Sequence, residues 1–241
     1  MIGKAFKILE SMAGEQGSNT IIALSQRTGI PKSTVHRILA ILAEEEVVTS
    51  LAGKGYVLTP RLLSLGLKGL GHKKLLDVAI PVIRAISDKT KETVSLNIIC
   101  GTERICVYKV EGEHLLPGNI RIGDRGHLLK GAAGKVIAAG LSSSELKKII
   151  DKCLVTGVIS DGEVSEILTE MEHIKSRGFA ASIEERFPGC ASIAIPLLDI
   201  TGQTMASLSI STVPEKIRNN EVEELVQILA SSASEISYAS I

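Results

Sequence analysis

The hydrophobic residues between positions 21 and 42 recur with the period of an α-helix, and the pattern is interrupted once, by a glycine and a proline. Gly29 can take the left-handed conformation that ends a first helix, and Pro31 suits the first turn of a second. At about 100° per residue, the second helix has a hydrophobic side and a polar side. The hydrophobic side carries Val35, Ile38, Leu39 and Leu42, and the polar side carries Ser33, His36, Arg37 and Ala40, with Lys32 and Thr34 at its margins.

This polar side combines hydrogen-bonding groups, positive charge and one small residue. A helix that enters the major groove of DNA needs these features to reach base edges and phosphates. The alternative is an ordinary helical hairpin with a solvated outer face. Two short β-branched or aromatic segments then flank the tip Gly53-Lys54-Gly55, which predicts a β-hairpin. Beside a recognition helix this hairpin would be a wing with Lys54 on the sugar-phosphate backbone; otherwise Lys54 merely keeps a plain hairpin soluble.

The rest of the chain alternates between helical and extended patterns. Residues 2–13 predict a helix, and residues 61–71 predict a second one that frays towards its three glycines. From residue 75 onward the order of elements favours an α+β domain with an antiparallel sheet. The predicted helices there are 75–89, 131–141, 143–151, 162–177 and a last one capped by Asn219 or Asn220; the predicted strands are 93–99, 104–110, 120–122, 179–183, 191–198 and 204–211.

The charge distribution supports a DNA-binding head. The net charge of the chain is zero, but residues 1–74 contain ten Lys and Arg against five Glu, which gives the head +5 and the remainder −5. A basic head on an acidic body is typical of a protein whose head alone meets phosphate. The four cysteines form no C-x-x-C pair, so we expect free thiols in a reducing compartment. No signal peptide, membrane span, metal motif or cofactor motif is evident, which favours the cytoplasm.

The rival hypothesis is an enzyme built in the second domain, which would require a catalytic motif there. Gly131-Ala-Ala-Gly-Lys135 resembles a phosphate-binding loop but has Leu129 in place of its first glycine and Val136 in place of its Ser or Thr. Ser144 to Lys147 matches S-x-x-K without its companion motifs. The pair Glu184-Glu185 is interpreted as a solvated loop. We therefore expect no enzyme and no cofactor.

Residues 24–39, LSQRTGIPKSTVHRIL, closely resemble the helix-turn-helix of the IclR family of transcriptional regulators. Residues 123–135, 178–196 and 206–211 are similar to the effector-binding domain of the same family. The resemblance implies a winged helix-turn-helix domain (1–61), a linker helix or hinge (62–74) and a GAF-like effector-binding domain (75–241). It also implies homodimers or homotetramers on a palindromic operator in double-stranded DNA. The DNA-binding residues would be Lys32, Ser33, Thr34, His36, Arg37 and Lys54.

The family resemblance also implies an effector pocket. Its wall would come from Ala132, Ala133 and Cys190, and its polar groups from Ser182, Ser192, Ser209 and Ser211. Ser182 stands where the family has Asp, and Ser192 where it has Cys, so hydroxyls replace a charge; we expect a small, partly hydrophobic carboxylate. The alternatives are that these serines are simply satisfied inside a sheet, or that the regulator responds to no small molecule. Glu46 replaces the family's usual Gly, so we expect the recognition helix to run on or bend there.

Overall fold

A computed structural model describes residues 1–14, 17–52, 55–69, 73–113, 120–218 and 222–239. Contacts between residues divide the chain into two units, Met1–Gly71 and His72–Ile241. Lys54, Asn219 and Asn220 lie outside the described residues, as does most of the region where we expect the linker to fray. Among the helices of the described ranges, none combines the length and hydrophobicity needed to cross a membrane.

The first unit contains a three-helix core and a two-stranded hairpin. Its hydrophobic core confirms the helical period read from the sequence, because Val35, Ile38 and Leu39 are buried against Ile8 and Leu24. Thr20 accepts a hydrogen bond from the Ala23 amide and so caps the second helix, and Gly29 ends it at φ 68°. The elements are α1 (Ile2–Ala13), α2 (Ile21–Thr28), α3 (Lys32–Glu44), β1 (Val48–Leu51), β2 (Gly55–Leu58) and α4 (Pro60–Gly69).

Of the two alternatives expected at Glu46, a recognition helix that runs on and one that bends, the first is wrong. Helix α3 ends at Glu44, and Glu46 itself adopts the left-handed conformation, with φ 55°. The Val47 amide then donates to the Leu42 carbonyl at 2.8 Å, which closes the helix end. The helix therefore stops where a glycine would stop it, at the cost of strain in a side-chain-bearing residue.

The second unit is built on a six-stranded antiparallel sheet with strand order β5-β4-β3-β8-β7-β6. This confirms the α+β class with an antiparallel sheet. The elements are α5 (Lys73–Thr90), β3 (Thr93–Cys100), β4 (Glu103–Val110), β5 (Arg125–His127), α6 (Ala132–Ala139), α7 (Ser143–Val155), a 3-10 turn (Asp161–Glu163), α8 (Val164–Arg177), β6 (Ala180–Ile183), β7 (Ala191–Leu198), β8 (Thr204–Thr212), α9 (Pro214–Arg218) and α10 (Val222–Ala239).

The two faces of this sheet differ in chemistry because side chains alternate along a strand. One face is made of Val, Ile and Leu, including Leu96, Ile193 and Leu208, and packs in one cluster with residues of α5 and α10. The other face is small and polar, and the Ser207 hydroxyl on that face donates to the Ala133 carbonyl of α6 at 3.0 Å. The small face leaves room beside α6, and that room becomes the candidate site.

Two local predictions in this unit are wrong. Residues 120–122 form no strand: Ile122 is 58% exposed, and the Asp124 amide donates to the Arg121 carbonyl across a turn. The strand lies later, at β5, where Arg104 pairs with Gly126. Helix α9 was not predicted, and α7 continues four residues beyond the predicted end at Asp151.

Candidate functional site

The polar side of α3 is exposed, and its opposite side is the core of the first unit. Lys32, Ser33, His36 and Arg37 are exposed, while Thr34 is half-buried at the margin. Within the described residues, no hydrogen bond or ion pair engages the side chains of the four exposed residues. The donors and charges of this surface are therefore available to a partner.

A second arginine of the same motif has a structural task. Arg27 donates to the Ser11 hydroxyl at 3.0 Å, to the Ser18 carbonyl at 3.1 Å and to the Asn19 side-chain oxygen at 2.7 Å. These bonds tie α2 to the end of α1 and to the segment that precedes α2. Arg27 therefore positions the recognition helix and is distinct from the cations that face outward.

The hairpin is joined to the helices at one glycine. Gly55 lies at φ 82°, and the Tyr56 amide donates to the Asn19 carbonyl at 3.1 Å. A Cβ at Gly55 would lie 2.5 Å from the Asn19 carbonyl oxygen, so no side chain fits there. The base of the hairpin is thus fixed to the helical core.

In the second unit, one cavity brings together all seven residues predicted for the effector pocket. It lies between the small polar face of the sheet, the start of α6 and the segment that joins β6 to β7. Its predicted lining residues are Ala132, Ala133, Ser182, Cys190, Ser192, Ser209 and Ser211; Arg104, Ile120, Gly131, Arg186 and Phe187 complete it.

The serines form a ladder across three neighbouring strands. Ser182 of β6 pairs with Ser192 of β7, which pairs with Ser211 of β8. Directly paired residues share a face, so these three hydroxyls point to the same side as Ser209, two residues before Ser211. The ladder gives the cavity a floor of neutral groups that can donate or accept.

A buried polar network continues from the ladder to an arginine. The Ser209 hydroxyl is 2.9 Å from that of Ser95, and the Asn97 amide lies 3.3 Å from Ser95 Oγ. The Arg104 guanidinium donates through Nη1 to the Asn97 oxygen. Arg104 is only 2% exposed, and its Nε has no hydrogen-bond partner among the described residues. The network therefore ends at a buried cation whose hydrogen-bonding capacity is incompletely used.

A second guanidinium enters the cavity from the segment between β6 and β7. Arg186 stacks on Phe187, with 5.2 Å between the guanidinium carbon and the ring centre. Burial, and next the charge of Arg186, lower the pKa of Arg104 to about 10. Burial likewise lowers the pKa of Arg186, and Asp124 partly offsets that effect. Both arginines remain protonated near neutral pH, but their charges are poorly compensated.

The interpretation of Glu185 as a solvated loop residue is wrong. Its carboxylate accepts from Lys135 Nζ at 2.5 Å and from the Gly131 amide at 2.9 Å. Lys135, only 6% exposed, also donates to Glu170 at 2.9 Å. The lysine of the apparent phosphate-binding loop is thus held in an ion-pair cluster, and Glu185 fastens the segment carrying Arg186 to α6. Glu184 is solvated, at 43% side-chain exposure, and accepts from the Gly189 amide.

The thiols and the possible metal ligands complete the chemistry. All four cysteines are free, and burial raises the pKa of Cys106, Cys153 and Cys190. Across the described ranges, no group of three or more His, Cys, Asp or Glu residues is arranged to hold a metal ion. The Cys190 side chain acts in this cavity as a small, largely neutral wall.

Sequence reasoning missed both arginines of the cavity. Arg104 carries one usable signal: it occupies the same face of β4 as buried Cys106, a position where a strand normally places a hydrophobic residue. Its pairing partner Gly126 leaves space for the guanidinium, since a Cβ there would lie 3.2 Å from Arg104 Nη2. Arg186 carries no such signal, because a polar segment between two strands normally faces solvent.

A helix-turn-helix with a two-stranded hairpin, followed by an α+β unit with a polar cavity, defines a transcriptional regulator with a separate ligand-binding domain. The IclR helix-turn-helix domain matches residues 2–52, and the family described as bacterial transcriptional regulator IclR C-terminal matches residues 67–238. The chain belongs to the IclR family of transcriptional regulators. The transcriptional regulator KdgR of Dickeya chrysanthemi is 31% identical over 237 residues, which cover 97% of this chain and 77% of that protein.

Two solved structures show the same fold. The Thermotoga maritima IclR structure has a TM-score of 0.73 and 29% identity, and covers 98% of this chain and 97% of its own. An IclR homolog from Microbacterium hydrocarbonoxydans complexed with 4-hydroxybenzoate has a TM-score of 0.82 at 20% identity, with 99% and 98% covered. The second likeness concerns the fold alone.

Proposed function

We propose that this regulator binds a palindromic operator in cytoplasmic DNA as a dimer or tetramer and responds to a small carboxylate effector. The recognition surface comprises Lys32, Ser33, Thr34, His36 and Arg37, with Lys54 of the wing on the phosphate backbone. The effector site is the cavity beside α6. The observation that supports the effector chemistry is that the described residues lining this cavity include two arginines and four serines and no carboxylate side chain.

The DNA half of the proposal rests on the exposed side chains of α3. Arg37 lies on the outward face, opposite buried Leu39 and Ile38, where a base edge or phosphate can approach. A bound operator is first obtained by selecting fragments of the source genome that the purified protein retains. Arg37→Ala is expected to weaken binding to that operator by about 1–3 kcal/mol and to relax specificity at one base pair.

Arg177→Ala is the matched control for that experiment. It removes the same charge from an exposed arginine of the second unit and should leave operator affinity unchanged. Lys54→Ala should weaken binding to all sequences alike and flatten the dependence on salt, because a phosphate contact carries no sequence information. Equal operator affinity in the wild-type, Arg37→Ala and Lys54→Ala proteins would refute this docking arrangement.

The effector half rests on charge and hydrogen bonding. A carboxylate can accept hydrogen bonds from guanidinium groups and from serine hydroxyls, and charge-assisted bonds of this kind are about twice as strong as neutral ones. Ala132, Ala133 and Phe187 offer hydrophobic contact to a carbon skeleton. Calorimetric titration with a panel of small carboxylates, amines and neutral alcohols is the test. Binding of amines or alcohols without binding of any acid would contradict the proposed chemistry.

The proposal that the protein forms a dimer or tetramer rests on hydrophobic side chains left at the surface of the first unit. Ile2 and Phe6 of α1 are 76% and 59% exposed, and Leu63 and Leu65 of α4 are 64% and 58% exposed. Large hydrophobic groups at such exposure on one small unit are a common mark of an interaction surface. A second copy of the chain is the partner that a palindromic site requires.

A further inference from the structure

The charge balance of the cavity is the starting point, and the inference rests on the effector site proposed above. Arg104 and Arg186 bring two positive charges to the lining. Asp124 is near enough to affect the pKa of both and supplies one negative charge. Among the described residues, one guanidinium charge is therefore left without a counter-charge in a largely desolvated position, where an unpaired ion is costly.

The start of α6 adds a further positive end to the same cavity. Gly131, Ala132 and Ala133 line it, and α6 has no cap from its own N-cap side chain and no acidic residue in its first turn. The Gly131 amide already donates to Glu185 at 2.9 Å, so the amides of Ala132 and Ala133 are the donors left for a ligand. A helix N-terminus carries roughly half a positive charge and free amide donors, which favour an anion. The ladder serines Ser192 and Ser211 lie on the opposite wall and can donate hydroxyl hydrogens to the same anion.

These two positive regions are adjacent but built from different groups. A Cβ at Gly131 would lie 2.8 Å from Arg186 Cδ, so the Arg186 side chain passes directly over the helix start. Its guanidinium shares the cavity lining with Arg104, and the charge of Arg186 contributes to the lowered pKa of Arg104. A single carboxylate can satisfy the helix start with its serines or the guanidinium pair, but a short molecule with two acids can satisfy both.

We infer that the effector carries two acidic groups, one bound by the α6 start and the serine ladder and the other by Arg104 and Arg186. One acid compensates the guanidinium charge that Asp124 leaves over, and the other accepts hydrogen bonds from the remaining amides of the α6 start and from the serine hydroxyls. A monoacid leaves one of the two regions without an anion. Arg104 is a fixed anchor, since Asn97 holds it in the sheet, and Arg186 is the arm that determines specificity for the second acid.

The dimensions of the cavity favour a short chain between the two acids. The cavity has a volume of only about 30 Å³, which is room for roughly two water molecules. Any organic diacid must therefore widen the cavity. Glu185 fastens one point of the segment between β6 and β7 to α6, so the wall that can shift is the part beyond it, which carries Arg186 and Phe187.

The experiment compares a diacid with its own monoamide, using the full-length protein and isothermal titration calorimetry. Malonate and succinate are the diacids, and malonamate and succinamate are matched in shape with one charge fewer. At least one diacid is expected to bind about ten- to hundredfold more tightly than its monoamide, the factor for losing a hydrogen bond to a charged group. In Arg186→Gln this ratio should fall to about one, mainly through weaker binding of the diacid.

Arg177→Gln is the matched control variant. Arg177 also stacks on an aromatic ring, at 4.7 Å from the centre of Phe179, but it does not line the cavity. The diacid preference should survive in this variant. Thermal unfolding of both variants checks that Arg186→Gln remains folded, so a loss of preference reports the site and not the fold.

The possible outcomes separate this inference from the proposed function. If monoamides or simple monoacids bind as tightly as diacids, or if Arg186→Gln keeps the preference, the two-acid inference is wrong and the carboxylate effector stands. If no acid of the panel binds, both the inference and the proposed effector chemistry fail. Neither result bears on the DNA-binding function, which is tested separately by measuring operator affinity.

Discussion

Glu46 is a non-glycine residue in the left-handed region, and it ends the recognition helix at a position where the family resemblance implies glycine. The left-handed conformation costs a side-chain-bearing residue about 1–2 kcal/mol. The strain is tolerated because the Thr59 hydroxyl donates to the Glu46 carbonyl and the Val47 amide closes the end of α3. The sequence showed the departure, but not its outcome, since the hydrogen bonds that enforce the turn come from distant Thr59.

Replacing Glu46 by glycine should therefore stabilise the protein. Glycine relieves the strain but adds disorder to the unfolded chain, so we expect a net gain of about 0.5–1 kcal/mol. Urea denaturation of the full chain at fixed protein concentration measures the difference. Glu44→Gly, in the last turn of α3, is the matched control and should lose about 1 kcal/mol. A Glu46→Gly protein that is less stable than wild type would show that no strain is stored there.

The serines of the ladder were predictable from the sequence, and the two arginines of the cavity were not. The alternation in Ser207-Leu-Ser-Ile-Ser211 places Ser209 and Ser211 on one face of a strand, and the family resemblance implied the cavity itself together with Ser182 and Ser192. Arg104 carries only the signal of an arginine on the buried face of a strand, and Arg186 depends on tertiary packing that no local pattern encodes. Arg104 pairs across two strands with Gly126, and Arg186 lies three residues before Gly189, but glycine alone does not identify a buried cation.

Ser209 provides a test of the serine contribution to effector binding. Ser209 is only 3% exposed, and its hydroxyl is hydrogen-bonded to that of Ser95. Replacing Ser209 therefore removes a group that serves both the ligand and the buried polar network. Ser209→Ala is expected to weaken binding of a carboxylate effector by about 1.5–3 kcal/mol, a ten- to hundredfold change. Calorimetry with the acid that binds best measures it, with exposed Ser176→Ala as control. Equal affinity in the two variants would remove Ser209 from the site.

Among the elements, the long periodic helices and the strands of the central sheet were predicted well, and the short elements were not. Helix α1 and strand β7 match their predicted bounds because their burial patterns follow one regular period over many residues. Strand β5 has only three residues, and its existence depends on pairing with β4. Sequence alone could not choose between residues 120–122 and 125–127, because tertiary pairing decides which short segment becomes a strand.

The contact between Gly55 and the Asn19 backbone holds the β1–β2 hairpin on the helices, and a substitution can test it. Because a Cβ at Gly55 would overlap the Asn19 backbone, Gly55→Ala should detach the hairpin from the helices. We expect a loss of stability of at least about 1 kcal/mol, since an alanine must also adopt φ 82° there, together with weaker operator binding. Electrophoretic mobility shift and thermal unfolding measure the two effects.

Gly66→Ala is the control for the wing experiment. Gly66 lies inside α4 with no atom within 4 Å of its would-be Cβ, so alanine should be neutral or slightly stabilising there. Wild-type operator affinity in Gly55→Ala would mean that the wing contributes nothing to DNA binding, and the role assigned to Lys54 would fall with it.

For the whole molecule, two units with different charge explain how one neutral chain binds nucleic acid. The positive charge is concentrated in residues 1–74, so phosphate attraction acts on the head, while the acidic body disfavours contact with DNA. Effector binding can change operator affinity only if the effector binds the two functional states of the protein with different affinity. The coupling is reciprocal, so operator DNA must change effector affinity by the same factor.

The oligomeric state is a property of the whole molecule, and binding to a palindromic operator requires at least a dimer. Two recognition helices must reach half-sites about 34 Å apart, one turn of DNA, which a single head cannot do. The native mass by light scattering should therefore be at least twice the 25.6 kDa of the chain. If α4 contributes to self-association, Leu63→Glu should lower both the mass and the operator affinity, because a buried charge without a partner opposes association. Leu168→Glu, at a side chain 44% exposed on α8, is the control and should change neither. A wild-type monomer at concentrations that saturate the operator would contradict the dimeric arrangement, whatever the behaviour of the effector cavity.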